Sequence, residues 1–217
     1  VQKGGAVMTE NKRIIRVLII VCLLFLTLLL YLLYFNMFRA DEVAANPYNK
    51  RQWEDEKYVK RGSVYDSNGT LLAETKIEED GTHSRVYPQG RLYSHIIGYH
   101  SKAYGKSQLE MKYDAQLLGK GDITLTFNEL RSGYDLNLTI DHDLQQYAYN
   151  QLNSRNGAIV ALEPKTGKIL AMVSRPDFEP TAALLEKNWK EIVEREDSPF
   201  LSRATQGLYP PGSTFKI

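Results

Sequence analysis

Residues 209–217, YPPGSTFKI, are the stretch from which the rest of the chain is best understood. Ser213 and Lys216 stand three positions apart, so a helix that starts here would bring both side chains to one face. A serine hydroxyl becomes a nucleophile when a neighbouring base takes its proton, and an amine whose pKa is lowered by burial can be that base. The spacing therefore predicts Ser213 as a nucleophile with Lys216 as its general base.

Two prolines and a glycine stand directly before Ser213 and favour a sharp entry into a new helix. The unpaired N–H groups and the positive dipole end of such a helix start would hold a developing oxyanion. The tetrad Ser-x-x-Lys alone has little weight, because it is expected about once by chance in a chain of ordinary composition. A helix start with an exposed lysine explains a bare match, so the wider sequence has to decide.

Size and composition limit the function. The chain has 217 residues, a net charge of +1 and 43% hydrophobic residues, which suits one or two small globular pieces and gives no support to nucleic-acid binding. Cys22 is the single cysteine, so neither an internal disulfide nor a cysteine metal site can form. The four histidines show no metal-ligand spacing and are expected on surfaces or in turns: His83, His95, His100 and His142. No metal or other cofactor is expected.

Residues 17–35, VLIIVCLLFLTLLLYLLYF, carry no charge and are long enough to cross a membrane as one helix. A cleaved secretory signal is the alternative, although its apolar region is usually only about 7 to 15 residues long. Lys12, Arg13 and Arg16 precede the span, so the amino end is expected inside and residues from 36 onward outside. The predicted location is the cytoplasmic membrane, crossed once, with Ser213 on the extracytoplasmic side.

The stretch after the span predicts short strands and one helix. Asn68 and Gly69 lie between two short apolar runs, a strong hairpin signal because both residue types tolerate positive φ. Residues 85–90 are typical of a strand end followed by a turn. Residues 108–119 have apolar side chains at spacings of four and are predicted to be helical, with Gly119 as the stop.

A second pattern begins near residue 134. Residues 134–140 alternate polar and apolar side chains, which predicts a half-buried strand. Asp141 is predicted to cap a helix that runs to about residue 153. Residues 157–174 predict an apolar hairpin, and Thr181 is predicted to cap a charged helix to about residue 196. This order of elements indicates an α+β domain.

Three segments before residue 134 resemble, in order, the motifs of the non-catalytic region in class B penicillin-binding proteins: residues 61–73, 85–90 and 109–119. Residues 138–152 and 157–167 resemble the opening of the transpeptidase domain of that family. The segment around Ser213 resembles the family's active-site serine motif. The chain is therefore identified as a member of the class B penicillin-binding proteins, with the compact PbpA type of Gram-positive bacteria as the nearest pattern.

This resemblance implies an α+β protein in four parts. They are a cytoplasmic tail (1–16), a transmembrane helix (17–35), a small mixed α/β membrane-proximal pedestal (36–133), and the first part of a penicillin-binding/β-lactamase-like transpeptidase domain (134–217). The family's Ser-x-Asn and Lys-Thr-Gly motifs, which follow the active-site serine, do not occur after Ser213 in this sequence. The chain is thus expected to be an inactive N-terminal fragment of a longer enzyme, and Met8 is expected to be the natural start.

The resemblance also implies a D,D-transpeptidase that cross-links peptidoglycan stem peptides. Ser213 would be acylated by the stem peptide or by a β-lactam, with Lys216 as general base. The implied partners are stem peptides, β-lactams, the cytoplasmic membrane and a membrane-embedded glycan polymerase of the shape, elongation, division and sporulation family. Two positions depart from the family pattern: Ser67 replaces a frequent arginine, and Ser202 replaces a common asparagine.

Four alternatives remain. A bifunctional class A enzyme would need a glycosyltransferase domain between the membrane and the transpeptidase, where the chain offers roughly 100 residues. A serine β-lactamase needs no anchor or pedestal. A β-lactam-acylated sensor would carry several spans and a zinc motif, and neither is found in this sequence. A membrane-anchored interaction protein with an idle serine is the fourth alternative, because a shared fold does not prove a shared activity.

Overall fold

The computed structural model describes residues 4–40, 43, 56, 59–120 and 132–216. The chain divides into two compact units, Val1–Asn49 and Lys50–Ile217. The first unit contains one long helix, α1, Gly4–Phe38, of which Ile14–Phe38 is long and apolar enough to cross a membrane. The prediction of one apolar N-terminal helix is confirmed.

The helix α1 is longer than the predicted span at both ends. The tail predicted for residues 1–16 is helical from Gly4 onward. Hydrophobicity marks only the part suited to lipid, whereas a helix continues until a helix-breaking residue or a cap stops it. Thr27, within the apolar run, donates its hydroxyl to the carbonyls of Leu23 (3.0 Å) and Leu24 (2.8 Å). Its polar group is therefore satisfied inside the helix.

The second unit mixes helices and strands, as the predicted α+β class requires. Its elements in chain order are β1 Val64–Tyr65, β2 Leu71–Ile77, β3 His83–Val86, a 3-10 turn Gly90–Tyr93, α2 Ser94–Ile97, β4 His100–Ser101, β5 Gly105–Lys106, α3 Gln108–Lys112, α4 Asp114–Leu117, β6 Leu136–Asn137, α5 His142–Leu152, β7 Gly157–Leu162, β8 Ile169–Arg175, α6 Ala182–Glu194, α7 Arg203–Gln206 and a 3-10 turn Gly212–Phe215.

One sheet joins the two predicted parts of this unit. Its strand order is β3-β2-β1-β6, with antiparallel β1–β2 and β2–β3 pairs and a parallel β1–β6 pair. The strand predicted over residues 134–140 is assigned only at Leu136–Asn137, although the Leu138 N–H still donates to the Tyr65 carbonyl (2.8 Å). A strand from the predicted transpeptidase part therefore completes the sheet of the pedestal.

The hairpin between β1 and β2 is confirmed, but its turn is built differently from the prediction. Gly69 has a φ of 84°, whereas Asn68 does not take positive φ. The carboxylate of Asp66 accepts hydrogen bonds from the N–H groups of Asn68 (2.9 Å) and Thr70 (2.6 Å). This side chain substitutes for the backbone of a two-residue turn, so only the glycine needs the left-handed conformation.

The helical predictions are confirmed with local corrections. Residues 108–119 form two short helices, α3 and α4, and the break between them falls at Tyr113, whose ring packs against the core. Gly119, with a φ of 64°, follows the end of the second helix. Asp141 caps α5, since its carboxylate accepts the Leu144 N–H (2.9 Å). Thr181 occupies the N-cap position of α6, but its hydroxyl donates to Glu179 (2.8 Å) and does not cap the helix.

The larger hydrophobic core lies under the four-stranded sheet. Its buried members come from both predicted parts: Val64, Leu72, Ala73, Tyr87, Leu92, Tyr93, Ile96, Ile97, Leu117 and Ile140. A smaller core lies between α5 and the β7–β8 hairpin and contains Ala148, Leu152, Ala171 and Val173. The hairpin that leads to the serine segment is thus packed on α5, and the start of α5 is packed on the pedestal.

A buried carboxylate, Glu110, ties three distant segments of the pedestal together. Its oxygens lie 2.6 Å from Arg61 Nε and 2.7 Å from Arg85 Nε, and its side chain is fully buried. Arg61 also reaches Asp114 Oδ1 (2.7 Å). Burial alone would raise the pKa of Glu110, but the charges of Arg85 and Arg61 outweigh it and lower that pKa to about 2. Glu110 is therefore ionised wherever the fold is intact.

We expect Glu110→Gln to lower the free energy of unfolding by about 3–5 kcal/mol, because the buried guanidinium of Arg85 loses its counter-charge and that of Arg61 keeps only Asp114. Urea unfolding of the full-length protein in detergent, followed by tryptophan fluorescence, measures this loss. The matched control is Glu194→Gln, an exposed glutamate 3.8 Å from Lys190, for which we expect less than about 0.5 kcal/mol. Equal effects of the two substitutions would contradict the role of Glu110.

Candidate active site

Ser213 lies in the 3-10 turn Gly212–Phe215, with Pro211 at the N-cap position. Gly212 has a φ of 55°, in the left-handed region that favours glycine. The backbone directly before the serine therefore requires glycine at this position. The sequence predicted the start of a helix here, and the structure has one 3-10 turn. An α-helical bond to the Ser213 carbonyl would need the N–H of residue 217, which lies outside the described residues.

Lys216 follows the turn directly. Its N–H donates to the Ser213 carbonyl (3.3 Å), and its own backbone is extended, with φ −79° and ψ 117°. Lys216 is thus the first residue after the turn, three positions from Ser213. Both residues are exposed, and within the part of the chain that the structure describes no hydrogen bond joins Ser213 Oγ to Lys216 Nζ. Their roles as nucleophile and base stay predictions.

The segment before the turn is anchored on the β7–β8 hairpin. The N–H of Arg203, the first residue of α7, donates to the hydroxyl of Ser174 on β8 (2.7 Å). Ser202 is fully buried, and its hydroxyl accepts a hydrogen bond from Thr205 (2.9 Å). The departure at Ser202 from the family pattern therefore falls on a buried position that already has a partner.

Gln145 joins three elements around this hairpin. Its amide oxygen accepts the Met172 N–H (2.8 Å), and its amide nitrogen donates to the carbonyls of Met172 (2.9 Å) and Leu92 (3.2 Å). The side chain is fully buried on α5. Its hydrogen bonds link strand β8 to the pedestal residue Leu92. Gln145 was not predicted from the sequence, although its helical spacing from Ala148 and Leu152 indicates that it lies on the buried face of the helix.

A second link was also missed and corrects a prediction. His95 was expected at the surface or in a turn, yet it is 5% exposed and lies in the short helix α2. Its Nε2 lies 2.8 Å from the Pro176 carbonyl oxygen and must donate to it, while Nδ1 is buried without a partner. The ring packs edge-to-face on Phe178, with centroids 5.4 Å apart. Its burial follows from contacts distant in sequence, which spacing cannot reveal.

The electrostatics of His95 follow from this geometry. Burial disfavours the imidazolium and lowers the pKa of His95, with opposing contributions from the Pro176 carbonyl and Asp177. Among the residues that the structure describes, no group of three or more His, Cys, Asp or Glu side chains is arranged to hold a metal ion.

Two protein-family models match separate parts of the chain. The penicillin binding protein A dimerisation domain matches residues 61–134, and the penicillin binding protein transpeptidase domain matches residues 157–217. The second match includes the β7–β8 hairpin, α6, α7 and the turn with Ser213. The chain therefore belongs to the penicillin-binding protein family, and the predicted relationship is confirmed.

Individual relatives agree with this assignment. The chain is 34% identical to the peptidoglycan D,D-transpeptidase PbpA of Mycolicibacterium smegmatis, with 95% of this chain and 46% of that protein covered. It is 30% identical to the peptidoglycan D,D-transpeptidase MrdA of Escherichia coli, with 64% of this chain and 28% of that protein covered. The chain thus spans about half the length of the first relative and less of the second.

The fold is also found in solved structures. The crystal structure of PBPA from Mycobacterium tuberculosis has a TM-score of 0.67 and 31% sequence identity, and covers 72% of this chain and 40% of that chain. The imipenem acyl-enzyme complex of penicillin-binding protein A from the same organism has a TM-score of 0.67 at 31% identity, with 74% and 41% covered. This likeness confirms the predicted fold class.

We expect acid to weaken the contact at His95. The unfolded chain binds a proton on this histidine near pH 6.5, whereas the folded chain does not until a lower pH, so stability falls as the pH drops below about 6.5. The loss has a limiting slope of about 1.4 kcal/mol per pH unit for one histidine. Urea unfolding of the full-length protein between pH 8 and pH 5 measures it.

In that measurement His95→Gln should flatten the curve below about pH 6.5 and leave its shape unchanged above pH 7.5. A residual slope is expected from His100, whose pKa burial also lowers. Parallel curves for the wild type and His95→Gln across the whole range would contradict the assignment.

Proposed function

We propose that the full-length protein is a peptidoglycan D,D-transpeptidase that works through an acyl-serine intermediate and is inhibited by β-lactams. The observation that carries this proposal is the exposed turn with Ser213, which lies inside the region that matches the transpeptidase domain model. Relatives named peptidoglycan D,D-transpeptidases and the acyl-enzyme complexes of a similar penicillin-binding protein support it.

In this proposal Ser213 attacks the carbonyl carbon between the two terminal D-alanines of a stem peptide. Lys216 takes the serine proton as the carbon–oxygen bond forms, and the N–H of Ser213 supplies part of the oxyanion hole. The terminal D-alanine leaves, and the amine of a neighbouring stem attacks the acyl-enzyme to form the cross-link. A β-lactam acylates the same hydroxyl by opening its ring, so no group leaves and the adduct persists.

The organisation of the protein fits this role. Residues 17–35 cross the cytoplasmic membrane, residues 36–133 form a pedestal, and residues 134–217 begin the transpeptidase domain. Lys12, Arg13 and Arg16 support an inside amino end, because positive residues are retained in the cytoplasm. The catalytic part then faces the extracytoplasmic side, where peptidoglycan lies. A membrane-embedded glycan polymerase of the shape, elongation, division and sporulation family is the proposed partner, and co-purification of the full-length protein without any polymerase would count against it.

Fluorescent penicillin labelling of the full-length protein tests the nucleophile and its location together. We expect an impermeant fluorescent penicillin to label the wild type on intact cells and not to label Ser213→Ala. Ser154→Ala, which removes an exposed hydroxyl beyond α5, is the control and should label normally. Covalent label that persists on Ser213→Ala would refute the proposed nucleophile, and label that appears only after lysis would refute the orientation.

The role of Lys216 as a base is tested separately from its charge. We expect Lys216→Ala to slow acylation by roughly 10²–10⁴-fold, which is the usual contribution of a positioned general base. Lys216→Arg keeps the charge, but a guanidinium stays protonated and cannot accept the serine proton. It should therefore be about as slow as Lys216→Ala in stopped-flow labelling. Full activity of Lys216→Arg would show that only a positive charge is needed.

A further inference from the structure

Arg203, at the start of α7, donates hydrogen bonds to three residues. Its N–H donates to the Ser174 hydroxyl (2.7 Å), as described above. Its guanidinium donates to the carbonyls of Asp197 (Nη2, 2.6 Å) and Ser198 (Nη1, 3.3 Å). One residue therefore fastens the loop after α6 to the start of α7, and the start of α7 to strand β8.

The contacts continue from Arg203 towards the serine. The N–H of Gly207 donates to the Arg203 carbonyl (3.3 Å). A Cβ added at Gly207 would lie 2.6 Å from the Arg203 carbonyl oxygen and 2.6 Å from Cε2 of Tyr209, so the backbone and the ring are in close contact there. Two prolines, Pro210 and Pro211, then fix φ up to the turn with Ser213.

We infer that Arg203 is a positioning residue for Ser213 in the transpeptidase reaction, a role that rests on the function proposed above. Among the described residues, the support for the turn comes from the segment before it. The hydrogen bonds of Arg203 fix the backbone ten residues before Ser213. The close Gly207–Tyr209 contact and the two prolines then restrict the backbone between Arg203 and the turn. A nucleophile displaced by about 1 Å loses up to about 10²-fold in rate.

The arginine side chain is needed for this role because of its shape. A guanidinium presents several donors in a planar fork and can bond two carbonyl oxygens at once. An ammonium has its donors on one atom and four flexible carbons behind it, so Arg203→Lys keeps the charge and loses the fixed geometry. The Arg203 N–H bond to Ser174 comes from the backbone and is kept in this variant.

The test compares Arg203→Lys with Arg195→Lys in the full-length protein. Arg195 lies in the same loop, and among the described residues its side chain bonds the carboxylate of Asp197, at 2.7 and 3.0 Å. About 40% of that side chain is exposed. Stopped-flow labelling with a fluorescent penicillin over a range of concentrations separates the binding constant from the acylation rate constant. Hydrogen–deuterium exchange reports the protection of the amides in residues 207–216, whether or not the protein is acylated.

We expect Arg203→Lys to lower the acylation rate constant about 10- to 100-fold with less than about a 3-fold change in the binding constant, and to speed amide exchange in residues 207–216. Arg195→Lys should change each quantity by less than about 2-fold. Equal effects of the two variants, or a weakened binding constant with an unchanged acylation rate, would overturn the inference.

The two proposals can fail separately. If the wild type forms no penicillin adduct, the proposed function is wrong, and the exchange data alone then decide whether Arg203 fixes the segment. If the wild type is acylated at Ser213 while Arg203→Lys keeps its rate and its protection, the function stands and the positioning role is wrong.

Discussion

The second unit depends on a carboxylate that has no access to water. Glu110 can stay ionised there only because two guanidinium groups replace its hydration, and this requirement fixes where Arg61 and Arg85 must lie. The three residues come from the start of the pedestal, from strand β3 and from helix α3, so one charge closes two long loops of chain. Hydrophobic burial favours a compact chain but does not specify directions. The hydrogen bonds between the Glu110 carboxylate and two guanidinium nitrogens within 2.7 Å are directional, so they fix how these three segments lie relative to one another.

The residues around β1 and β2 are joined by hydrogen bonds to the part of the chain that carries the serine. Strand β6 pairs with β1, and Asp66, which holds the pedestal hairpin, also accepts the N–H of His142 at the start of α5 (3.2 Å). Gln145 on the same helix donates both to the carbonyl of Leu92, before α2, and to the carbonyl of Met172, on β8. The β7–β8 hairpin, which leads to Ser213, is thus oriented by the hydrogen bonds of Gln145. The smaller core packs between this hairpin and α5.

The parts of this arrangement that the sequence predicted are local in the chain. The β1–β2 hairpin, the Asp141 cap and the β7–β8 hairpin depend on neighbours within a few residues, and their residue types indicate them directly. The burial of His95 and the pairing of Glu110 depend on residues up to 81 positions away, for which one sequence has no periodic signal. The candidate site depends on neither kind of signal, because the motif around Ser213 indicates it by resemblance, and the 3-10 turn at Gly212–Phe215 is compatible with the predicted helix start.

The turn that carries Ser213 gains support from residues outside its own four positions. A 3-10 turn has only i→i+3 bonds, and its hydrogen-bond geometry is poorer than that of an α-helix, so a four-residue turn is weak by itself. Among the described residues, the backbone leading to the turn is restricted by two prolines, by Gly212 in the left-handed region, and by the hydrogen bonds of Arg203. The position of Ser213 therefore depends on Arg203, on strand β8 and, through Gln145, on the segment that contains Leu92.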